Sequence, residues 1–155
     1  MRIKGKLFME VKYREMNIIL ENIDVYYHEA AQKFGLSDAE FEVLYIMFQS
    51  DEYIPQRRIY QETGKSRSTI NSAVKKMESE GILKLKALDG KSVQVKLTDK
   101  GKEFTNNTIA KVVEIENKIY DSWSEEDKKT MLRLNRNFME ELAKEVANIS
   151  VATDI

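Results

Sequence analysis

Two short amphipathic segments separated by a glycine-containing turn follow one another after residue 55. Pro55 suits the first turn of a short helix that is predicted to end at about Glu62. Thr63-Gly64-Lys65 is then a tight connection. Ser66 is a suitable N-cap for a second helix, predicted from Arg67 to Glu80. This order predicts a helix-turn-helix.

After Gly81 the apolar pattern changes to a period of two residues, which is typical of strands. The segments Ile82–Ala87 and Ser92–Leu97 flank Leu88-Asp89-Gly90-Lys91, and Asp-Gly between two such runs is a strong β-hairpin signal. One face of the hairpin is predicted to be buried, through Val93, Val95 and Leu97. A helix-turn-helix followed by a hairpin is the winged helix arrangement.

Long helices are expected on both sides of this unit, because the chain has only one proline and six glycines. Apolar residues three and four apart predict a first helix from about Leu7 to Phe34. Ser37 and Glu40 have the spacing of a capping box at the start of a second helix. Further apolar stripes predict two C-terminal helices, one from Thr98 through Ile119 and one from Ser124 to about Asn148. The predicted fold is mainly α with a small β-hairpin wing.

The apolar stripes of the end helices are longer than a small winged domain can cover, which predicts a two-fold homodimer. The alternative is a monomer whose first and last helices pack on each other. The predicted domains are an N-terminal dimerisation helix at 1–35, a winged helix-turn-helix DNA-binding domain at 36–100 and C-terminal dimerisation helices at 101–155.

The charge of the chain is unevenly distributed, although its formal net charge is −1. From Arg57 to Lys102 there are twelve lysines and arginines and five acidic residues, so this block carries +7 inside an acidic frame. A basic block of this kind favours an anion-binding module, although a merely solvated face is an equal alternative.

The predicted fourth helix carries the residues that most favour DNA. Its apolar face is opposed by arginine, asparagine and serine side chains, and no acidic residue occurs from Lys65 to Met77. Arginine pairs with guanine and asparagine with adenine in the major groove. We expect base-edge contacts from Arg67, Ser68, Asn71 and Ser72. We expect phosphate contacts from the helix start and from basic groups, namely Arg57, Arg58, Ser66, Thr69, Lys75, Lys76, Lys86 and Lys91.

Each of these expectations has a plainer alternative. The serine- and asparagine-rich face is otherwise only solvated. The wing lysines otherwise guard an exposed strand edge. Arg57 and Arg58 otherwise pair with acids such as Glu62.

The chain has no cysteine and one histidine, which excludes disulfides, thiol chemistry and multi-histidine metal sites. No phosphate-binding glycine loop or catalytic constellation occurs, so we expect neither an enzyme nor a cofactor. No apolar run is long enough to span a membrane and no signal peptide is visible, so the expected location is the cytoplasm. A small aromatic effector is a further possible partner, through residues that otherwise belong to the core, namely Tyr26, Tyr27, Tyr45, Tyr53 and His28.

Three segments occur in a characteristic order: the helix entry Leu36–Leu44, the stretch 66–83, and Leu97-Thr98-Asp99-Lys100-Gly101 just after the hairpin. Together they resemble the MarR family of winged helix-turn-helix transcriptional regulators, over about residues 18–142. The resemblance implies a homodimer that binds a pseudo-palindromic operator and is often released by a small ligand. The wing departs from the family pattern, because Lys91 is the only basic residue where the family usually has two.

The predicted function is therefore a dimeric, sequence-specific DNA-binding transcription regulator, acting as a repressor and released by a small effector. The alternative is a winged-helix protein-interaction module that does not bind DNA.

Overall fold

A computed structural model describes residues 2–3, 6–88 and 92–150. The helices in this part of the chain are α1 (Val11–Lys33), α2 (Asp38–Met47), α3 (Gln56–Thr63), α4 (Arg67–Ser79), α5 (Asp99–Asn107), α6 (Ile109–Asp121) and α7 (Glu125–Ala147). The strands are β1 (Arg2–Ile3), β2 (Lys6–Leu7), β3 (Ile54–Pro55), β4 (Leu83–Leu88) and β5 (Ser92–Leu97). The predicted fold class, mainly α with a small β wing, is confirmed.

The wing is a three-stranded antiparallel sheet in the order β3-β5-β4, and not only the predicted hairpin. Ile54 of β3 lies opposite Val95, which in turn lies opposite Leu85 of β4. Pro55, which was expected inside a helix, ends β3 and is the N-cap residue of α3. An edge strand tolerates proline because its outer side needs no N–H donor.

The hydrophobic core of the winged domain lies between α2, α3, α4 and the base of the wing. The predicted inward face of α4 is confirmed, since Ile70, Ala73, Val74 and Met77 are all buried. They share the core with buried residues of the other elements, namely Phe41, Val43, Leu44, Met47, Ile59, Leu83, Val95 and Leu97. The expectation for Val93 was wrong: it is 38% exposed, because it lies near the start of β5, towards the tip of the hairpin.

Local signals define where the first two helices begin. Helix α1 begins at Val11, later than predicted, where the Glu10 carboxylate accepts a 2.9 Å hydrogen bond from the backbone N–H of Tyr13. The capping box at α2 is confirmed, because Ser37 accepts from the N–H of Glu40 and the Glu40 carboxylate accepts from the N–H of Ser37.

A close corner joins the wing to α5. The Thr98 hydroxyl donates to the carbonyl of Gly81 at 2.6 Å and accepts from the N–H of Gly101 at 2.9 Å. A Cβ on Gly101 would lie 2.1 Å from the carbonyl oxygen of Ile82. Only glycine therefore lets the first turn of α5 approach the backbone of Ile82, just before β4, this closely.

The single helix predicted from Thr98 through Ile119 is wrong, because it is broken into α5 and α6 at Thr108. The backbone of Thr108 has φ −125° and ψ −76°, outside the helical region. Its hydroxyl donates to the carbonyl of Phe104 at 2.7 Å. A threonine side chain that bonds back in this way competes with the helical hydrogen-bond ladder.

The chain divides into two compact units, Met1–Val112 and Val113–Ile155. The first contains the winged domain and α1, and the second contains the end of α6 and all of α7. The division into regions 1–35, 36–100 and 101–155 stays a prediction about their roles. No helix in the described residues is long and apolar enough to cross a bilayer.

Candidate nucleic-acid interface

Helix α4 starts immediately after the turn of the helix-turn-helix. Gly64 ends α3 in the left-handed conformation at φ +67°, which glycine adopts without strain. Ser66 then caps α4, because its hydroxyl oxygen accepts from the N–H of Thr69 at 3.2 Å. The predicted N-cap is confirmed, and it orients α4 with one face in the core and the other in solvent.

The outer face of α4 presents the side chains that sequence reasoning assigned to DNA. Arg67, Ser68, Thr69, Asn71, Ser72 and Lys75 are all exposed. Some of the hydroxyl groups already have partners within the helix. The hydroxyl oxygens of Ser66 and Ser68 lie 3.0 Å apart, and the Ser72 hydroxyl donates to the backbone carbonyl of Ser68 at 3.0 Å. Arginine and asparagine therefore hold most of the free hydrogen-bonding capacity of this face.

Two residues of α3 contact these two side chains. The Arg67 guanidinium lies over the Tyr60 ring, with its central carbon 5.3 Å from the ring centroid. The Gln56 side-chain amide donates to the side-chain Oδ1 atom of Asn71. Tyr60 is half-buried and Gln56 is buried. The four side chains share an open cleft of about 450 Å³, whose other lining residues are Pro55, Arg57, Ser92 and Val93.

The two arginines of α3 have different surroundings. Arg57 is exposed and lines the cleft beside the α4 face. Arg58 forms an ion pair with Glu62, one turn further along the helix. For Arg58 the alternative of a local acidic partner is thus realised, whereas Arg57 keeps its place on the predicted interface.

Lys76, which was expected to hold a phosphate, is exposed but forms an ion pair with an acidic residue of the same domain. Its ammonium lies 2.6 Å from an Oε atom of the buried Glu40 on α2. Burial disfavours the charged form of Glu40, but the hydrogen bond from Lys76, together with those from Ser37, outweighs burial and lowers the pKa of Glu40. The same contact raises the pKa of Lys76. Lys76 thus links α4 to α2 through an ion pair.

The wing places basic side chains around one aromatic ring. The ammonium groups of Lys86 and Lys96 lie 5.8 Å and 5.6 Å from the centroid of Tyr53. Lys84 is exposed on the same hairpin. The expected contact through Lys91 lies outside the described residues, which stop at Leu88 and resume at Ser92.

The residues expected for an effector do not form one group. Tyr27 and Tyr45 lie on either side of Phe41, with ring centroids 6.3 Å and 6.1 Å from it. Tyr53 belongs to the wing, and Tyr26 is 67% exposed. The Nδ1 atom of His28 lies 2.7 Å from the carboxylate of Asp38 at the start of α2.

Sequence reasoning missed Gln56 and Tyr60 as members of the site. Their spacing in the sequence could have indicated this, because Gln56 and Tyr60 are four residues apart on α3, as Arg67 and Asn71 are on α4. Residues four apart share one face of a helix. Which faces of the two helices meet depends on the turn between them, and the apolar pattern does not define that turn.

Comparison with known proteins agrees with this geometry. A family model described as winged helix-turn-helix DNA-binding matches residues 36–84. A comparison with curated protein sequences finds no match.

Several solved structures share the fold over most of the chain. The MarR family regulator NMB1585 from Neisseria meningitidis is 16% identical, with a TM-score of 0.75 over 90% of this chain and 98% of that one. The S. aureus MepR–DNA complex is 14% identical, with a TM-score of 0.68 over 87% and 99%. The PcaV regulator from Streptomyces coelicolor, in complex with its natural ligand, is 15% identical, with a TM-score of 0.64 over 87% and 98%. The predicted resemblance is thereby confirmed: the chain carries a winged helix-turn-helix of the DNA-binding type and has the fold of MarR family regulators.

Proposed function

We propose that this protein is a homodimeric, sequence-specific transcription regulator of the MarR type that represses by occupying a pseudo-palindromic operator. The observation that carries the proposal is the outer face of α4. It is exposed and carries no acidic residue from Arg67 to Met77, and its Arg67 and Asn71 are held by neighbours on α3. Such a face suits the major groove, where arginine and asparagine distinguish base pairs.

The proposed roles divide between bases and phosphates. Arg67, Asn71, Ser68 and Ser72 approach base edges. Phosphate contacts come from the start of α4, at Ser66 and Thr69, and from three exposed cations, namely Arg57, Lys75 and Lys86. Lys91, which lies outside the described residues, keeps its predicted role as a phosphate contact. Lys76 and Arg58 contribute positive charge to the face, but their carboxylate partners reduce what each adds.

The dimer is supported separately by each unit. In the first unit, α1 contains one buried residue, Ala31, and exposes apolar side chains such as Ile19 and Ile23. In the second unit, α7 contains no buried residue, although Leu134 and Leu142 continue its apolar stripe at 54% and 50% exposure. Helices of this kind need a cover, which a second copy supplies. A two-fold pair would also present two copies of α4 about 34–36 Å apart, one turn of DNA.

We further propose that a small aromatic effector releases the DNA. The supporting feature is the ring cluster Tyr27–Phe41–Tyr45, in which Tyr45 is partly exposed, beside the exposed His28–Asp38 pair. Aromatic rings with polar tips suit a phenolic ligand. Thermal unfolding with a panel of phenolic acids tests this part: a compound that raises the midpoint and also weakens DNA binding supports it, and a panel without effect argues against it.

The experiment for the main proposal is selection of binding sites from random DNA, followed by fluorescence anisotropy. The selected site and a scrambled site of equal composition are titrated at several salt concentrations. Recovery of a two-fold symmetric site that binds more tightly than the scrambled site, with affinity falling steeply as salt rises, supports a dimeric reader. Absence of binding at low salt would favour the alternative of a protein-interaction module.

A further inference from the structure

We propose that Gln56 and Tyr60 are positioning residues that set the base preference of α4 by pre-orienting Asn71 and Arg67. This inference rests on the proposed function, because it concerns how the same face reads DNA. Both residues lie on α3, and each contacts one side chain of the outer face of α4. Each acts through the side chain that it contacts.

Tyr60 supports Arg67 from one side. A guanidinium group carries its N–H donors in its own plane. A ring lying over the face of that plane leaves the donors free and restricts the rotamers of a long side chain. Tyr60 is half-buried against the domain, which restricts the positions that its ring can take. Arg67 therefore meets a guanine edge already ordered, and less conformational entropy is lost on binding.

Gln56 fixes Asn71 by a directional contact. Its buried amide donates to the Oδ1 atom of Asn71 and so engages one lone pair of that oxygen. The contact sets the rotation of the asparagine amide and leaves the Nδ2 group of Asn71 as its free donor. Purine N7, guanine O6 and thymine O4 are the major-groove acceptors that such a donor reads.

The two contacts form a matched set. Gln56 and Tyr60 are one turn apart on α3, and Asn71 and Arg67 are one turn apart on α4. The contacts are therefore two parallel links between the helices, at the edge of the same cleft. A single contact between the two helices would not require that the residues on both helices be one turn apart. Two contacts with this spacing align the Arg67 and Asn71 side chains for adjacent base pairs.

The test uses four single variants on α3 of the full chain, and it compares them with Arg67→Ala, Asn71→Ala and the double variant Tyr60→Leu/Arg67→Ala. Tyr60→Leu removes the ring face, and Tyr60→Phe keeps it. Gln56→Leu removes the amide at similar size, and Gln61→Leu makes the same change at an exposed position of the same helix. Circular dichroism and thermal unfolding establish that each variant is folded. Anisotropy then compares the selected site, every single-base variant of that site and a scrambled site.

We expect Tyr60→Leu to weaken binding to the selected site by about 3- to 10-fold, in the range of cation–π contacts, while binding to scrambled DNA is unchanged. The loss of affinity should be confined to the base pair at which Arg67→Ala relaxes preference. The double variant Tyr60→Leu/Arg67→Ala should lose no more affinity than Arg67→Ala alone. Tyr60→Phe should behave as wild type. A merely structural role would weaken all sequences alike.

Gln56→Leu should relax preference at a different base pair, the one that Asn71→Ala also relaxes, whereas Gln61→Leu should leave preference intact. The inference is overturned if Arg67→Ala and Asn71→Ala relax preference but Tyr60→Leu and Gln56→Leu do not. That result would leave the proposed function standing. A wild-type protein without any sequence preference would overturn the proposed function and this inference together.

Discussion

The Lys76 ammonium lies 2.6 Å from the Oε1 atom of Glu40, and the two side chains are 54% and 2% exposed. The cation therefore keeps much of its water while the carboxylate has lost nearly all of its own. The same carboxylate closes the capping box of α2 on Ser37 at 2.7 Å. One buried group thus serves the start of α2 and the middle of α4.

This asymmetry predicts unequal costs for removing the two partners. We expect Lys76→Met to lower the free energy of unfolding by about 2–3 kcal/mol, because it leaves the buried Glu40 carboxylate without its cation. The loss is smaller than for a fully buried pair because Lys76 is itself 54% exposed. Glu40→Gln should cost about 1 kcal/mol, since glutamine keeps the capping box and the freed lysine is solvated. Urea unfolding at pH 7 measures both. A larger loss for Glu40→Gln than for Lys76→Met would contradict this description.

The pair also predicts a pH dependence. The pKa of Glu40 is lowered on folding, so its ionisation stabilises the fold above the ordinary carboxyl pKa, and that stabilisation is lost as the pH falls through the lowered pKa. The difference in unfolding free energy between wild type and Lys76→Met should be full at pH 7 and shrink below about pH 5. Urea titrations from neutral to acidic pH test this. A difference that stays constant would show that the ion pair is not its source.

Gly101 offers a steric prediction at the corner between the wing and α5. Alanine is usually favoured over glycine within a helix, but here its Cβ would lie 2.1 Å from the Ile82 carbonyl oxygen. We expect Gly101→Ala to destabilise by about 2–3 kcal/mol, as overpacking against backbone does.

The matched control for Gly101→Ala is Gly35→Ala. Gly35 has φ +71° and open space around its Cβ position, so its loss is limited to about 1 kcal/mol of backbone strain. Thermal unfolding compares the two variants. If Gly101→Ala is as stable as wild type, the close approach of α5 to Ile82 is incorrect.

Much of the winged domain could be predicted because local patterns define it. The N-caps at Ser37 and Ser66, the inward face of α4 and the hairpin follow from neighbouring residues alone. The β3 strand could not be predicted, because two residues carry no periodicity and Ile54 pairs with the distant Val95.

Other features depended on partners that the sequence does not place. Lys75 and Lys76 are neighbouring lysines that the sequence does not distinguish. Only the packing of α2 on α4 places Glu40 beside Lys76. The break at Thr108 depends on a hydroxyl that turns back to Phe104, which an apolar stripe does not reveal. The turn between α3 and α4 brings Gln56 and Tyr60 to the site, and the sequence does not specify the geometry of that turn.

The proposed dimer predicts that charge on the α7 stripe separates the copies. We expect Leu142→Glu to convert the protein to monomers, because it places a carboxylate on an apolar face that a second copy would cover. Asn137→Glu adds the same charge at a polar position of α7 and should remain dimeric. Sedimentation equilibrium distinguishes the two states. A wild-type protein that sediments as a monomer would contradict the proposed dimer.

The most direct measurement of the central claim is anisotropy of wild type and Arg67→Ala on the selected and scrambled sites in parallel. If α4 reads bases, Arg67→Ala should cost about 1–3 kcal/mol on the selected site and relax preference at one base pair per half-site. Binding to scrambled DNA should weaken much less. If Arg67→Ala leaves both affinity and sequence preference intact, the outer face of α4 is not the reading surface.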